Sequence, residues 1–306
     1  MPDSVEMSVS PRSARTRVDV VIAVRDEEQS IPLFIDRVGA LALPSNVELH
    51  LLFVEDSSTD GTRDLLRDLA ASRSDVGYAF LRQGFGQGIA ISHGIGLSNA
   101  DAVVMMDVDG SHPPEAIVDL VSAFQRGADV AQCVRRTLPN RKLYRRAGAA
   151  AFHAVSRLAF GLDFADQNVF FRLVSADVAD MILSEPRYWR YLRFPLARVS
   201  GRVERIPIDT VERSVGKSKY DFPRLVSLAL DGILCLISTR RAASLAAALL
   251  AASVALLWAG WWPASLLLLL ALLWLVRRFR EVGRTDALSV LEMTESRNLA
   301  PGAASS

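Results

Sequence analysis

Four apolar runs of strand length recur along the first third of the chain, and each stops at a polar turn. Residues 18–24 (VDVVIAV) run into Arg25-Asp26-Glu27-Glu28, and 49–54 run into Glu55-Asp56-Ser57-Ser58-Thr59-Asp60-Gly61-Thr62. Residues 76–81 lead to a loop with Gly84, Gly86 and Gly88, and 102–106 end at Asp107 and Asp109. Between the runs lie helical patterns. Ile31, Leu33, Phe34, Ile35 and Val38 follow Ser30, a candidate cap; Leu65, Leu66 and Leu69 follow the second turn. Helices are predicted over 89–97 and 114–126, and another strand over 129–134. Strands alternating with helices at this spacing predict an α/β fold with a parallel, doubly wound sheet. The turns then converge on the carboxyl edge of the sheet, where such folds bind ligands.

The fourth turn reads DVDGSHPPE. Asp107 and Asp109 stand one residue apart at the end of a buried strand, and proline opens the next helix where a first turn tolerates it. Hard carboxylate oxygens in this place suit Mg²⁺ or Mn²⁺ held jointly with a substrate diphosphate. The competing reading is an ordinary strand-to-helix turn, because Asp and Gly are common there.

Charge is nearly balanced over the 306 residues, at +1, so no global footprint for nucleic acid exists. The distribution is uneven. Residues 130–162 contain no Asp or Glu but hold Arg135, Arg136, Arg141, Lys142, Arg145, Arg146 and Arg157. Cys133 and Cys235 are far apart without metal spacing, which fits reduced thiols. Residues 1–17 are polar, with no apolar core of a signal peptide, and read as a disordered leader. Beyond the fifth strand the pattern loosens, with a basic helix over 144–160, a helix from Ala176 and a late strand at Ile206-Pro207-Ile208.

From 242 to 276 no residue carries a charge. One membrane span needs about 20 residues, so this run exceeds one helix and is short for two. Gly260, Trp261, Trp262 and Pro263 break it, predicting a two-helix transmembrane hairpin within 240–280. Arg240 and Arg241 precede it and Arg277, Arg278 and Arg280 follow it, which puts both ends on the cytoplasmic face. A buried soluble hairpin is the alternative. Residues 221–239 suit an amphipathic helix at the membrane interface, and 281–306 a mobile cytoplasmic tail. Contact between hairpins leaves a homo-oligomer open.

The succession of VEDSSTDGT, GFGQG, DVDGSHPPE and RSVGKSKY, behind an acidic first turn, resembles glycosyltransferase family 2. Within it the likeness is to polyprenyl-phosphate glycosyltransferases of the dolichol-phosphate mannose synthase kind, over residues 18–220. The resemblance implies a GT-A domain, Rossmann-like with a mostly parallel sheet. It implies inverting, metal-dependent transfer of a sugar from a nucleotide-diphosphate sugar to a membrane polyprenyl phosphate. On this template Ala23, Val24, Asp26, Glu27, Asp56, Gly86, Gln87, Asp107 and Arg135 bind the nucleotide sugar. Asp109 holds the metal, with Asp107 and Ser111 beside it, and Asp166 joins Asp107 and Asp109 at the reaction centre. Arg145, Arg146, Arg213, Ser218 and Lys219 gather the acceptor phosphate.

The chain departs from the family pattern in several places. The usual Pro and Asn of the first turn are Ala23 and Asp26, and an aromatic is Arg25. The paired Asp-Asp is Glu55-Asp56 and its Gly is Ser57. An Asn before the glycine loop is Gly84, an Arg in the next helix is Ser92, and a metal-side Gln is Ser111. The Ser-Gly-Phe-Arg string is Val169-Phe170-Phe171-Arg172. These changes cluster around nucleotide and metal. Two other readings therefore stay open: a family member acting on polysaccharide or protein, faintly echoed by Arg187-Tyr188-Trp189-Arg190, and a non-catalytic membrane scaffold.

Overall fold

The computed structural model describes residues 15–136, 170–185, 191–199, 201–209, 239–283 and 290–293, with isolated positions between 150 and 158. An eight-stranded sheet runs in the order β7-β5-β6-β4-β1-β2-β3-β8. β1 (Thr16–Val24), β2 (Val47–Glu55), β3 (Val76–Leu81) and β4 (Ala102–Met105) are mutually parallel. β5 (Val130–Arg135) pairs in parallel with β7 (Val203–Ile208). The sheet is thus mostly parallel, as the GT-A resemblance implies. Its exceptions are β6 (Arg172–Ser175), which enters antiparallel between β4 and β5, and β8 (Val290–Met293), antiparallel to β3.

Side-chain alternation along the strands builds two cores. Val18, Val20, Ile22 and Val24 of β1 pack beneath α1 (Ser30–Gly39), α2 (Thr62–Ser72) and α4 (Ala116–Gln125), whereas Val21 faces the opposite layer. That layer holds α3 (Gln87–Leu97), α5 (Ala176–Leu183) and α6 (Arg193–Leu196). The period of two in each strand is what lets a single apolar run feed both faces. In α1 the buried Ile31, Phe34, Ile35 and Val38 recur at helical spacing. Ser30 does not cap α1 as the sequence suggested. The helix starts at Ser30, and the N–H groups of Ser30 and Ile31 donate to the Glu27 carbonyl at 3.0 and 3.1 Å.

Two long helices, α7 (Thr239–Trp258) and α8 (Trp262–Gly283), fold back on each other, with the reversal at Gly260, φ 79°. Pro263 lies in the first turn of α8, where its missing N–H costs nothing. Ser253 and Ser265 are buried between the helices, hydroxyl to hydroxyl at 3.0 Å. Outward lie Leu245, Leu250, Leu257, Leu267, Leu273 and four tryptophans, all exposed. Among the described residues, no helix is long and apolar enough to cross a membrane. The tail read as mobile contains β8, which covers the outer edge of β3 from Ala79 to Leu81.

Candidate functional site

The turn after β1 is held by the turn after β2. Asp26 has φ 57°, a left-handed conformation that Asp and Asn tolerate better than other side-chain-bearing residues, so Asp in place of Asn keeps the backbone form. Its Oδ1 accepts from the Thr59 N–H at 2.7 Å and the Thr59 hydroxyl at 3.1 Å, and its own N–H donates to Ser58 Oγ at 3.0 Å. The Glu27 N–H donates to Thr62 Oγ1 at 3.1 Å. Ser57, which replaces a glycine of the template that the sequence resembles, sits at φ 60°, a left-handed conformation that glycine adopts without steric cost. Ala23 and Val24 close β1, Val24 buried and Ala23 partly so.

Glu55 and Asp56, adjacent in sequence, do different work. Glu55 is fully buried and pairs with Arg63 Nε at 2.6 Å on α2, while also accepting from the Ser58 N–H. Asp56, 5% exposed, reaches the loop after β3 and accepts the N–H of Phe85 at 2.6 Å and of Gly86 at 2.8 Å. Gly86, at φ 92°, is the cap residue just before α3, so Asp56 holds the loop at the point where the helix starts. Gly84 lies against the exposed Arg25 guanidinium. A Cβ at Gly84 would come within 3.0 Å of Arg25 Nη1, so the absence of a side chain makes room for the guanidinium.

Asp107 and Asp109 leave the end of β4, both half-buried. Gln87, at the start of α3, donates from Nε2 to Asp107 Oδ1. The Ser111 N–H donates to Asp109 Oδ1 at 3.0 Å across Gly110, φ 76°. His112 folds back beneath the turn: its Nδ1 accepts the Asp107 N–H at 3.3 Å and lies 3.8 Å from Asp107 Oδ2. Glu115, last in the motif, makes a two-pronged pair with Arg37 of α1 at 2.7 and 3.1 Å, which holds its carboxyl below the usual range.

The donor set suits a divalent cation only in a shared mode. Among the described residues, no group of three His, Cys, Asp or Glu stands ready to enclose a metal. Two neighbouring carboxylates at a sheet edge, with Ser111 next to them, match Mg²⁺ or Mn²⁺ completed by substrate phosphates and water.

The structure therefore gathers Ala23, Val24, Asp26, Glu27, Asp56, Gly86, Gln87, Asp107, Asp109 and Ser111 at one edge. Arg135 ends β5, which runs in the same direction as β4, and so reaches that edge too. Asp166, Arg145, Arg146, Arg213, Ser218 and Lys219 lie outside the described residues. Sequence reasoning missed the linking roles of His112, Thr59 and Arg63. Only His112 carried a signal, its place inside the acidic motif.

The profile of the family described as Glycosyl transferase family 2 matches residues 19–183. The undecaprenyl-phosphate 4-deoxy-4-formamido-L-arabinose transferase of Aeromonas hydrophila is 28% identical over 223 residues, 72% of this chain and 68% of the relative. Its Klebsiella pneumoniae counterpart is 28% identical over 224 residues, 73% and 68% of the two chains. Among solved structures, glucosyl-3-phosphoglycerate synthase from Mycobacterium tuberculosis, in complex with uridine diphosphate, aligns with a TM-score of 0.48 and 17% identity. That alignment covers 72% of this chain and 79% of the other. The family match spans more than half of the 306 residues and includes every turn that meets at the carboxyl edge, so the chain belongs to glycosyl transferase family 2.

Proposed function

We propose that this chain transfers a sugar, with inversion, from a nucleotide-diphosphate sugar to the phosphate of a membrane polyprenol. The observation that carries the reading is the meeting of the Asp26 turn, the Asp56-held loop and the Asp107–Asp109 turn on one sheet edge. The relatives, which are undecaprenyl-phosphate 4-deoxy-4-formamido-L-arabinose transferases, support the acceptor class.

In this reading the nucleoside lies against residues 23–27 and the loop that Asp56 shapes, and Asp107, fixed by Gln87, faces the nucleotide. Asp109 holds Mg²⁺ or Mn²⁺, with Asp107 and Ser111 beside it. The ion, when bound, supplies Lewis-acid neutralisation of the departing diphosphate. A phosphate oxygen of the acceptor forms the new bond to the anomeric carbon as the bond to the nucleoside diphosphate breaks. The acceptor is already an anion at neutral pH, so no strong general base is needed, and Asp166 is assigned positioning. Arg135 serves the donor diphosphate. Arg145, Arg146, Arg213, Ser218 and Lys219 gather the lipid phosphate, a task for which the planar guanidinium fork is suited.

The uncharged run 242–276, the arginines at both its ends and the exposed leucines and tryptophans of α7 and α8 support a membrane hairpin with the catalytic domain on the cytoplasmic face. Residues 18–220 form the transferase domain of this reading, 221–239 its interfacial helix and 240–280 the hairpin. Membranes containing the protein are expected to transfer radiolabelled sugar from a nucleotide donor to a butanol-extractable lipid. Asp109→Ala should abolish that transfer while the variant stays folded. Full activity in the variant, or in EDTA, overturns the metal assignment.

A further inference from the structure

We infer that His112 is a positioning residue for the Asp107–Asp109 turn, its Nδ1 accepting the Asp107 N–H while its ring is stacked on Phe171. The inference rests on the reading above, in which that turn carries the metal and the donor diphosphate.

His112 is 5% exposed, and its ring lies 5.5 Å from that of Phe171 at 26°. Phe171 is itself fully buried at the entrance to β6, and its carbonyl accepts the Cys133 N–H at 3.0 Å. The imidazole is thus seated on a fixed part of the sheet and reaches back five residues to the Asp107 backbone, 3.3 Å away. This contact closes a loop that contains Gly110 in a left-handed conformation and the Ser111-to-Asp109 hydrogen bond. Pro113 and Pro114 follow directly and have no N–H to donate, so backbone hydrogen bonds from these two residues cannot pin the turn. A backbone N–H donating to Nδ1 requires a lone pair there, which places the imidazole proton on Nε2. A histidine that merely filled a core gap would be replaceable by phenylalanine. One that fixes the turn would not.

Groups that orient the ligands of a metal typically contribute about 10–100-fold to affinity or activity. His112→Phe keeps a ring on Phe171 and removes the acceptor, whereas His112→Asn offers Oδ1 near the place of Nδ1. Calorimetry with Mn²⁺ and UDP or GDP should show binding to His112→Phe weakened by about tenfold or more, with kcat falling in step and the acceptor KM unchanged. His112→Asn should recover most of the loss. Wild-type binding by His112→Phe, or equal impairment of the two variants, overturns the inference. Nitrogen NMR of the wild-type imidazole is an arm that needs no variant to fold: a bare Nδ1 supports the contact, and an Nδ1–H tautomer overturns it. A wild type showing no Mn²⁺-dependent nucleotide binding overturns the donor-site reading and this inference's link to it. Normal wild-type binding with an indifferent His112→Phe overturns this inference alone.

Discussion

Asp56 commits both carboxylate oxygens to backbone N–H groups about thirty residues further along the chain. Hydrogen bonds to an ionised acceptor are roughly twice as strong as neutral ones, so a single buried side chain can fix a glycine loop. A second position where one atom decides the structure is Gly94 of α3. A Cβ there would meet Val21 Cγ1 at 2.3 Å and Val54 Cγ2 at 2.9 Å, both branched carbons on buried strands. Gly94→Ala is therefore expected to push α3 off β1 and β2 and to destabilise the domain by about 1–3 kcal/mol, the range for overpacking. Denaturant unfolding at neutral pH measures it; an unchanged midpoint would show that the layer has slack. The sequence marked Gly84, Gly86 and Gly88 as a loop but assigned no role to Gly94, because close approach of a helix to a sheet has no local signature.

At the scale of elements, β2 and α2 are joined by the Glu55–Arg63 pair. Glu55 is fully buried and Arg63 30% exposed, and the guanidinium also donates to the Leu81 carbonyl of β3 at 3.2 Å. Removing one partner of a buried pair leaves a charge without compensation, which costs about 3–5 kcal/mol, less here because Arg63 keeps some contact with water. Arg63→Ala should lower the unfolding midpoint clearly. The double variant with Glu55→Gln should recover part of the loss, a non-additivity that a double-mutant cycle reads directly. Strands β1 to β5 were legible because each is an apolar run ending at a turn, whereas of β7 only Ile206-Pro207-Ile208 was read. β6 was not, since Arg172-Leu173-Val174-Ser175 is short and begins with an arginine that the fold buries completely. β8 was hidden for a related reason: four residues acquire strand character only by pairing with the edge of β3.

For the molecule as a whole, acid should be the weak side. The carboxyls of Glu115 and Asp75 are held below their ordinary values first by the side-chain hydrogen bonds of Arg37 and Arg73. At Asp60 burial acts upward, yet hydrogen bonds from Thr62 and the Glu28 backbone bring it down overall. A carboxyl that ionises more readily folded than unfolded favours the fold above its unfolded value. That stability is lost as pH falls through the lowered folded value. Thermal melts should hold steady near neutrality and decline below about pH 4.5. Glu115→Gln should flatten part of that decline; an identical acid profile would remove Glu115 from the account. Cys133, free and buried, has its thiol pushed up to about 12 by burial, so it should resist alkylation until the domain unfolds.

Periodicity and turn chemistry are local properties of the chain, and they alone determined the alternation of strands and helices, the convergence of the polar turns on the carboxyl edge, and a hairpin break near Gly260. Asp107 and Asp109 could be named from their strand end without any knowledge of what surrounds them. Tertiary structure decided the rest: the antiparallel entry of β6 between β4 and β5, the closure of β3's edge by β8, the reach of Asp56 to Phe85 and Gly86, and the seating of His112 on Phe171. These contacts join segments distant in sequence. Their geometry depends on strand register and on which side chains the packed layers leave room for, and neither is written in any short stretch of residues.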